Sequence, residues 1–237
     1  MINRIALFWF GRNTGWWVIL TLSLSCSKTI DPGLIPPGLE YLPLESGNYK
    51  VYQVDQTLYS TIGVEQSVYY VKDSILDLEV NGDGSTTWTI HRFKRKTPND
   101  GWVPEMAWSI RLTDHQAISL FNNMKWVVLA FPLYSHQQWD GNAMNTLPEE
   151  KYEVTAFNEP FTNEHGLSFS STAKVVQQNN QDLIVQLDQR SERYAAGVGL
   201  VEKIDINFVY CQQVSCLGMQ QVDSGHEIRY SLIDYGN

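Results

Sequence analysis

The stretch SVYYVKDSILDLEVNGDGSTTWTIHRFKR, residues 67–95, decides the fold class. Apolar and polar residues alternate on both sides of NGDG (81–84), and a period of two is typical of a half-buried β-strand. Asn-Gly and Asp-Gly pairs between two such runs predict a tight hairpin. In the second run the alternation places Trp88, Ile90 and Arg92 on one face of a strand. The stretch therefore predicts antiparallel strands joined by a short turn.

The same alternation continues along the rest of the chain. It recurs in about a dozen runs, and no window shows the capped 3.6-residue apolar stripe of a helix. Short connections make neighbouring strands antiparallel, because a parallel pair needs a crossover of about a dozen residues or more. We predict an all-β protein built on an antiparallel, strongly curved open sheet or half-barrel, with a two-sheet β-sandwich as the alternative.

Three segments within this pattern are harder to assign from sequence. Residues 67–80 are predicted to form two short strands. Residues 136–142, HQQWDGN, have the polar and glycine-containing composition of a turn. Residues 158–166, NEPFTNEHG, are predicted as a loop or a single helical turn.

The N-terminus has the pattern of an export signal. Arg4 and Arg12 precede the apolar run WWVILTLSLS (16–25), which ends in small residues before Cys26. A positive start, an apolar run of about 7–15 residues and a small-residue exit are typical of secretory signal peptides. The run is too short to span a bilayer, which takes about 20 apolar residues.

The cysteine that ends this run resembles the lipobox of bacterial lipoproteins, in which the cysteine is acylated and becomes the first mature residue. Ser25 fits the position before the cysteine, and Ser23 stands where leucine is usual. The resemblance implies a signal peptide over residues 1–25 and lipid attachment, including palmitate, at Cys26. The alternative is an ordinary signal peptide cleaved nearby.

The body is expected to begin after a tether. Residues 26–46 hold four of the nine prolines, and proline favours extended chain. We assign them to the lipidated cysteine and a Pro-rich tether, with a folded strand as an alternative only after Glu40. Residues 47–237 are then a single all-β domain, since a chain of this length suits one domain.

Composition limits the classes of partner. Hydrophobic residues make up 43% of the chain, which is enough for a core, and the formal net charge is −9. Such a charge repels the phosphate backbone, so nucleic acid is excluded as a partner. Membrane association is expected through the lipid anchor, which places the protein in the cell envelope, at the outer membrane, on either its periplasmic or its surface side.

Cys211 and Cys216 lie in the segment NFVYCQQVSCLG. Cysteine pairs in exported proteins are commonly oxidised to disulfides. A four-residue loop between two strands would place the two cysteines opposite each other. We predict a disulfide, with a reduced pair and a metal pair as alternatives. A metal pair lacks a second ligand pair nearby in the sequence.

No motif predicts a metal or a cofactor. NGDG resembles the start of a calcium loop, but the position that requires glutamate holds Ile90, so a hairpin is favoured. GVG (197–199) lacks the third glycine of a dinucleotide fingerprint and is interpreted as a bend. No histidine lies in a zinc-protease or nucleophile-elbow motif.

Three segments together resemble uncharacterised lipoproteins of the Bacteroidota. They are YLPLESGNYKVYQVDQTLY (41–59), LAFPLYSHQQWDGN (129–142) and YAAGVGLV (194–201). The resemblance implies an outer-membrane or periplasm-facing lipoprotein and no particular chemistry. A fold-level analogy links such a sheet to the half-barrels that carry lipids and lipoproteins in the periplasm.

Aromatic residues are the remaining candidates for a site. Trp108 and Trp126 lie in predicted strands, whereas Trp102 and Trp139 lie beside Asp and Gly in predicted turns. All four are candidate ligand contacts, although core packing is the commoner role. We expect non-enzymatic binding of an apolar ligand or of an envelope protein. The alternatives are a surface glycan-binding or assembly module and a hydrolase that uses paired carboxylates.

Overall fold

The computed structural model describes residues 37–182 and 184–237. This part of the chain contains twelve strands and one short 3₁₀ helix, Leu39–Tyr41, so the predicted all-β class is confirmed. The strands are β1 (Tyr49–Ser60), β2 (Gly63–Val80), β3 (Thr86–Arg95), β4 (Val103–Leu112), β5 (Gln116–Phe121), β6 (Met124–Ala130), β7 (Gln138–Asp140), β8 (Lys151–Thr162), β9 (Ser168–Asp182), β10 (Gln186–Ala195), β11 (Gly199–Tyr210) and β12 (Val222–Gly236).

All twelve strands belong to one antiparallel sheet with the order β6-β5-β4-β3-β2-β1-β12-β11-β10-β9-β8-β7. Two six-strand meanders therefore meet where the first strand pairs with the last, from Tyr49 opposite Gly236 to Tyr59 opposite Gly225. The short turns dictate this order, because each hairpin sets its two strands side by side. The strongly curved sheet that the alternation predicts is the one observed.

The sheet curves until its two edge strands, β6 and β7, lie next to each other. The Val127 amide donates a hydrogen bond of 2.9 Å to the Gly141 carbonyl just beyond β7. The indole Nε1 of Trp139 donates to the Val127 carbonyl at 2.8 Å. These bonds bridge part of the seam, so the sheet is nearly closed and retains one unsealed seam.

The segment 37–47 packs against the sheet at the end where β10 turns into β11. The Gly197 amide donates to the Glu40 carbonyl at 2.7 Å, and the Leu133 amide donates to the Pro37 carbonyl at 2.8 Å. Tyr41 is only 2% exposed. Residues 37–46, the described part of the predicted tether, therefore pack against the sheet. Cys26 and the predicted signal peptide lie outside the described residues.

Three strand predictions differ from the structure. Residues 67–80 belong to one long strand, β2, whose pairing with β3 shifts register between Ile75 and Asp77. Residues 136–142 include β7, which pairs with the start of β8. Residues 158–166 are not a loop throughout, because β8 continues to Thr162 through repeated register shifts against β9. Bulges of this kind carry an extra residue, which hides the period of two.

The predicted NGDG hairpin, the bend at GVG and the disulfide are present. In the NGDG turn the Asn81 amide donates to the Ser85 carbonyl at 2.8 Å, which closes the hairpin. Gly197 and Gly199 have φ of 75° and 94°, values that glycine adopts readily, and they form the bend between β10 and β11. Cys211 and Cys216 form a disulfide with a Cα–Cα distance of 5.9 Å. Both cysteines lie in the connection between β11 and β12, not opposite each other on two strands.

Candidate ligand-binding cavity

The curved sheet encloses a cavity of about 470 Å³. Eleven of the twelve strands contribute to its lining, and β7 is the exception. Strands turn alternate side chains to each face, so the inner residues of successive strands converge on the space the sheet surrounds. The volume lies within the range of about 300–1,000 Å³ that is usual for small-molecule sites. This cavity is the candidate functional site.

One side of the cavity is apolar. Strands β2 to β6 and the packed N-terminal segment supply this surface, which we call the apolar wall: Leu42, Leu44, Ile75, Ile90, Trp108, Ile110, Phe121, Trp126 and Val128. Trp108 and Phe121 meet edge to face, with ring centroids 6.4 Å apart. Burying such surface against an apolar ligand is favourable by about 25 cal/mol per Å².

The other side is charged. Strands β1, β10 and β11, together with β2 and β3, supply the charged lining: Lys50, Asp73, Arg92, Arg190, Glu192, Lys203 and Asp205. Four of these side chains are cationic and three are carboxylates. With histidine neutral, the lining carries one excess positive charge, although the whole chain carries −9.

Most of these charges are satisfied within the protein. Asp73 accepts two hydrogen bonds of 2.7 Å from Arg92. Lys203 donates to Glu192 at 2.9 Å, and the Tyr194 hydroxyl donates to the same carboxylate. Paired, hydrogen-bonded charges are the arrangement in which buried ions persist in proteins.

Two further groups complete the network. Arg190 donates to Asp188 at 2.9 Å and pairs with Glu150. Asp205 lies 3.1 Å from Nε2 of His226. Each carboxylate of the charged lining therefore has a basic partner.

The protonation states favour an ion pair over acid catalysis. Burial raises the pKa of Glu192, but the Lys203 ammonium and the hydrogen bonds from Tyr194 and Lys203 outweigh it and hold that pKa below its ordinary value. The Glu192 charge in turn raises the pKa of Lys203. A general acid working near neutral pH needs a raised carboxyl pKa, and Glu192 has the opposite shift.

Lys50 differs from the other three cations of the lining. It forms no ion pair with any carboxylate in residues 37–182 and 184–237. Burial lowers its pKa, and the charge of Asp73 opposes that shift without making direct contact. A Cβ placed on Gly199 would lie 2.8 Å from Lys50 Cε, so the glycine makes room for this side chain. Lys50 also borders a smaller recess of about 250 Å³ beside the C-terminus.

Trp108 carries a second unsatisfied group. Its indole Nε1 is buried, and no described protein atom accepts a hydrogen bond from it. A buried donor without an acceptor costs about 1–3 kcal/mol.

The four candidate tryptophans lie in different places. Trp108 and Trp126 line the cavity. Trp102 lies in the connection between β3 and β4, where the Arg95 guanidinium stacks 4.2 Å from its ring. Trp139 lies on the edge strand β7 and packs against Tyr152 with ring centroids 6.0 Å apart. The structure brings two of the four together and gives the other two local packing roles.

Sequence reasoning missed the charged lining. Asp73 and Arg92 share an inward face with Ile75 and Ile90, and the alternation of β2 and β3 contains that information. The charged lining is not predicted from the sequence because charged residues in alternating strands are usually assigned to the solvent face. Lys50 was missed for the same reason.

No helix among the described residues is long and apolar enough to cross a bilayer. Within residues 37–182 and 184–237 no group of three or more His, Cys, Asp or Glu side chains is placed to hold a metal ion.

No protein-family model matches the chain, and no curated protein matches it either. Four solved chains resemble it, and two of them are described here. One, a “putative exported protein with YmcC-like fold” from Bacteroides fragilis, is 9% identical over 82% of this chain and 98% of its own, with a TM-score of 0.45. The other, a “putative lipoprotein” from Parabacteroides distasonis, is 8% identical over 83% of this chain and 98% of its own, with a TM-score of 0.39. At these similarities the function has to be argued from this chain's own residues.

Proposed function

We propose that this protein is a cell-envelope lipoprotein, anchored at the outer membrane through Cys26, that binds an apolar ligand such as an acyl chain inside its curved sheet without transforming it. The observation that carries the proposal is the cavity of about 470 Å³ with its apolar wall. Ligand sites are typically concave and mostly apolar, with a few polar groups that fix orientation.

The shape of the site favours a chain-like ligand over a folded partner. Its lining extends from Leu42 and Leu44, in the segment that packs against one end of the sheet, to Phe121 and Asn122 at the β5–β6 turn. A space lined by eleven strands of one curved sheet admits a narrow apolar chain, and an envelope protein would enter it only through its own acyl chains.

The surface glycan-binding alternative has less support. It relies on Trp102 and Trp139 as a shared platform, and these residues lie in the β3–β4 connection and on β7 respectively. The indole donor of Trp139 is already used by the Val127 carbonyl. The hydrolase alternative relies on a carboxylate with a raised pKa, and the buried Glu192 carboxyl has a lowered one.

The anchor can be tested by labelling. Cells that express the full-length chain are fed an alkyne analogue of palmitate, and the envelope fraction is recovered. The expected result is label on the wild-type protein and none on Cys26→Ser, which should be released into the soluble fraction. Unlabelled wild-type protein would contradict the anchor and leave the cavity proposal standing.

Binding can be tested on the Cys26→Ser chain, purified without detergent. The neutral probe N-phenylnaphthylamine should fluoresce strongly on entering the cavity, and native mass spectrometry should find co-purified lipid of unchanged composition. Ser119→Phe and Val128→Trp, which add volume to the lining, should weaken probe binding about tenfold. Leu78→Trp, on an exposed position of β2, is the matched control. Absence of both lipid and probe binding in the folded Cys26→Ser chain would refute the function.

A further inference from the structure

The polar groups of the cavity select among apolar ligands. A purely apolar molecule would satisfy the apolar wall and leave one cation of the charged lining, Lys50, without a counter-ion. Asp73, Glu192 and Asp205 already have basic partners, so none of them needs a cationic ligand. Lys50 is the cation of the lining that has no such partner among the described residues.

The position of Lys50 suits a head-group contact. It lines the cavity together with Leu42 and Leu44 of the packed N-terminal segment, and both leucines belong to the apolar wall. A chain lying along the apolar wall would therefore bring one end near the Lys50 ammonium. A partly buried ammonium that lacks a counter-ion is costly, and an anionic group at that end would offset the cost.

We propose that the ligand is an anionic single-chain amphiphile whose acyl chain lies on the apolar wall and whose carboxylate or phosphate pairs with Lys50. This inference rests on the proposed function and adds the chemical class of the ligand. A free fatty acid and a lysophospholipid share this chemistry, since each joins one long chain to an anionic head group. A charge-assisted hydrogen bond in a site of low polarity gives such a head group specificity as well as affinity.

The test compares ligands of equal chain length and different head group on the Cys26→Ser chain. Palmitate, hexadecanol and hexadecylamine are titrated by displacement of N-phenylnaphthylamine. Palmitate is expected to bind about tenfold or more tightly than hexadecanol, and hexadecylamine more weakly than either. Equal affinity of palmitate and hexadecanol would overturn the inference and leave the proposed function intact. Failure of all three ligands and of the probe would instead contradict the proposed function.

Variants of Lys50 locate the contact. Lys50→Met should lower palmitate affinity about tenfold and leave hexadecanol affinity unchanged, whereas Lys50→Arg should retain the preference for palmitate. Lys125→Met is the control, because Lys125 is exposed and adjacent in sequence to the cavity residue Trp126. Equal loss of palmitate and hexadecanol binding in Lys50→Met would show a packing effect and overturn the head-group contact.

Chain length separates the cavity from the smaller recess that Lys50 also borders. Octanoate and acetate should compete progressively less well than palmitate, because the apolar wall supplies most of the affinity. Equal competition by acetate would place the anion in the recess and overturn the inference. Palmitoyl lysophosphatidate distinguishes the two sources. If palmitoyl lysophosphatidate binds more tightly than palmitate, the natural head group is assigned as a phosphate, and if it binds more weakly, as a carboxylate. In either case Lys50→Met must weaken the binding of the preferred ligand.

Discussion

The Arg92 guanidinium donates two hydrogen bonds to the Asp73 carboxylate, one from Nε to Oδ1 and one from Nη2 to Oδ2, and each is 2.7 Å long. The two residues are directly opposite each other on β3 and β2. Their side chains are 14% and 11% exposed, so the pair is largely desolvated inside the cavity lining. A bidentate pair in this environment fixes the register of the two strands as well as the charge of the site.

Removing one partner of this pair should be costly. Arg92→Met leaves the Asp73 carboxylate without its counter-ion, and breaking a buried pair in this way costs about 3–5 kcal/mol. Urea denaturation should show that loss in the free energy of unfolding. The double variant Asp73→Leu with Arg92→Met should recover most of it, because apolar residues of similar size often replace buried pairs at little cost.

An exposed pair on the neighbouring strand is the control for this prediction. Lys94 and Glu105 lie 3.7 Å apart with side chains 40% and 37% exposed. Glu105→Gln should change the free energy of unfolding by less than about 1 kcal/mol, as is usual for surface ion pairs. If Arg92→Met changed the free energy of unfolding by as little as Glu105→Gln does, Asp73 would be solvated and not buried.

The strand pattern of this protein could be predicted from sequence where the period of two is intact. In β3 the alternation correctly placed Ile90 and Arg92 on the same face, and NGDG correctly marked the turn before it. The pattern fails in β8, where Asn158 has φ of 57° and the pairing with β9 shifts register repeatedly. The pattern also fails for β7. This strand has three residues, which are too few to show a period, and its assignment depends on its pairing with β8.

The candidate site was only partly predictable. Aromatic residues in strands directed attention to Trp108 and Trp126, and these line the cavity. Predicting the charged lining requires knowing which strands face each other across the cavity. That arrangement follows from the pairing of β1 with β12, which are about 175 residues apart in sequence. Local alternation cannot show that Lys50 lacks an ion-pair partner, because that property depends on all the neighbouring strands.

The Glu192–Lys203 pair should make stability depend on pH at both limits. Burial raises the pKa of Glu192, but Lys203 and Tyr194 lower it by more, so the pKa lies below its ordinary value of 4.5. This carboxylate contributes stability above about pH 4.5, and the contribution is lost as the pH falls through the lowered pKa. Glu192 raises the Lys203 pKa above 10.5, so the stability from Lys203 is present below that pH and is lost as the pH rises through the raised value.

Urea midpoints measured from roughly pH 3 to pH 7 test the acid side of this prediction. Glu192→Gln should be less stable than wild type at pH 7 and should show a flatter loss of stability toward acid. Glu79→Gln, at an exposed position of β2, should keep the wild-type slope. Parallel curves for wild type and Glu192→Gln would contradict the assigned ion pair.

Gly225 is required by a close backbone approach. Its φ is 134°, and a Cβ at this position would overlap the Asn207 carbonyl oxygen of β11. Gly225→Ala therefore combines a steric clash with backbone strain and should lower the free energy of unfolding by about 2 kcal/mol or more. Gly218→Ala, with φ of 78° and open space, isolates the strain, and Gly82→Ala, in open space without positive φ, should be nearly neutral. Equal effects in all three variants would contradict the close approach.

Trp139 should stabilise the seam between the two edge strands. Its Nε1 donates to the Val127 carbonyl at 2.8 Å, and the Val127 amide donates to Gly141 at 2.9 Å. Trp139→Phe keeps an aromatic ring and removes the indole donor, so the free energy of unfolding should fall by about 1 kcal/mol. Hydrogen exchange of the Val127 amide should accelerate by more than that of amides in β1 and β12, because edge strands open more readily than central ones.

Trp102→Phe is the matched variant, because Trp102 contacts Arg95 through its ring, 4.2 Å away, and a phenyl ring retains part of that contact. It should leave Val127 exchange unchanged. Unchanged Val127 exchange in Trp139→Phe would refute the bridging role of its indole. If Trp139 served instead in a glycan platform, its substitution would abolish glycan binding and leave seam exchange untouched. The two roles therefore predict opposite results in one exchange experiment, and the 2.8 Å bond to Val127 favours the structural one.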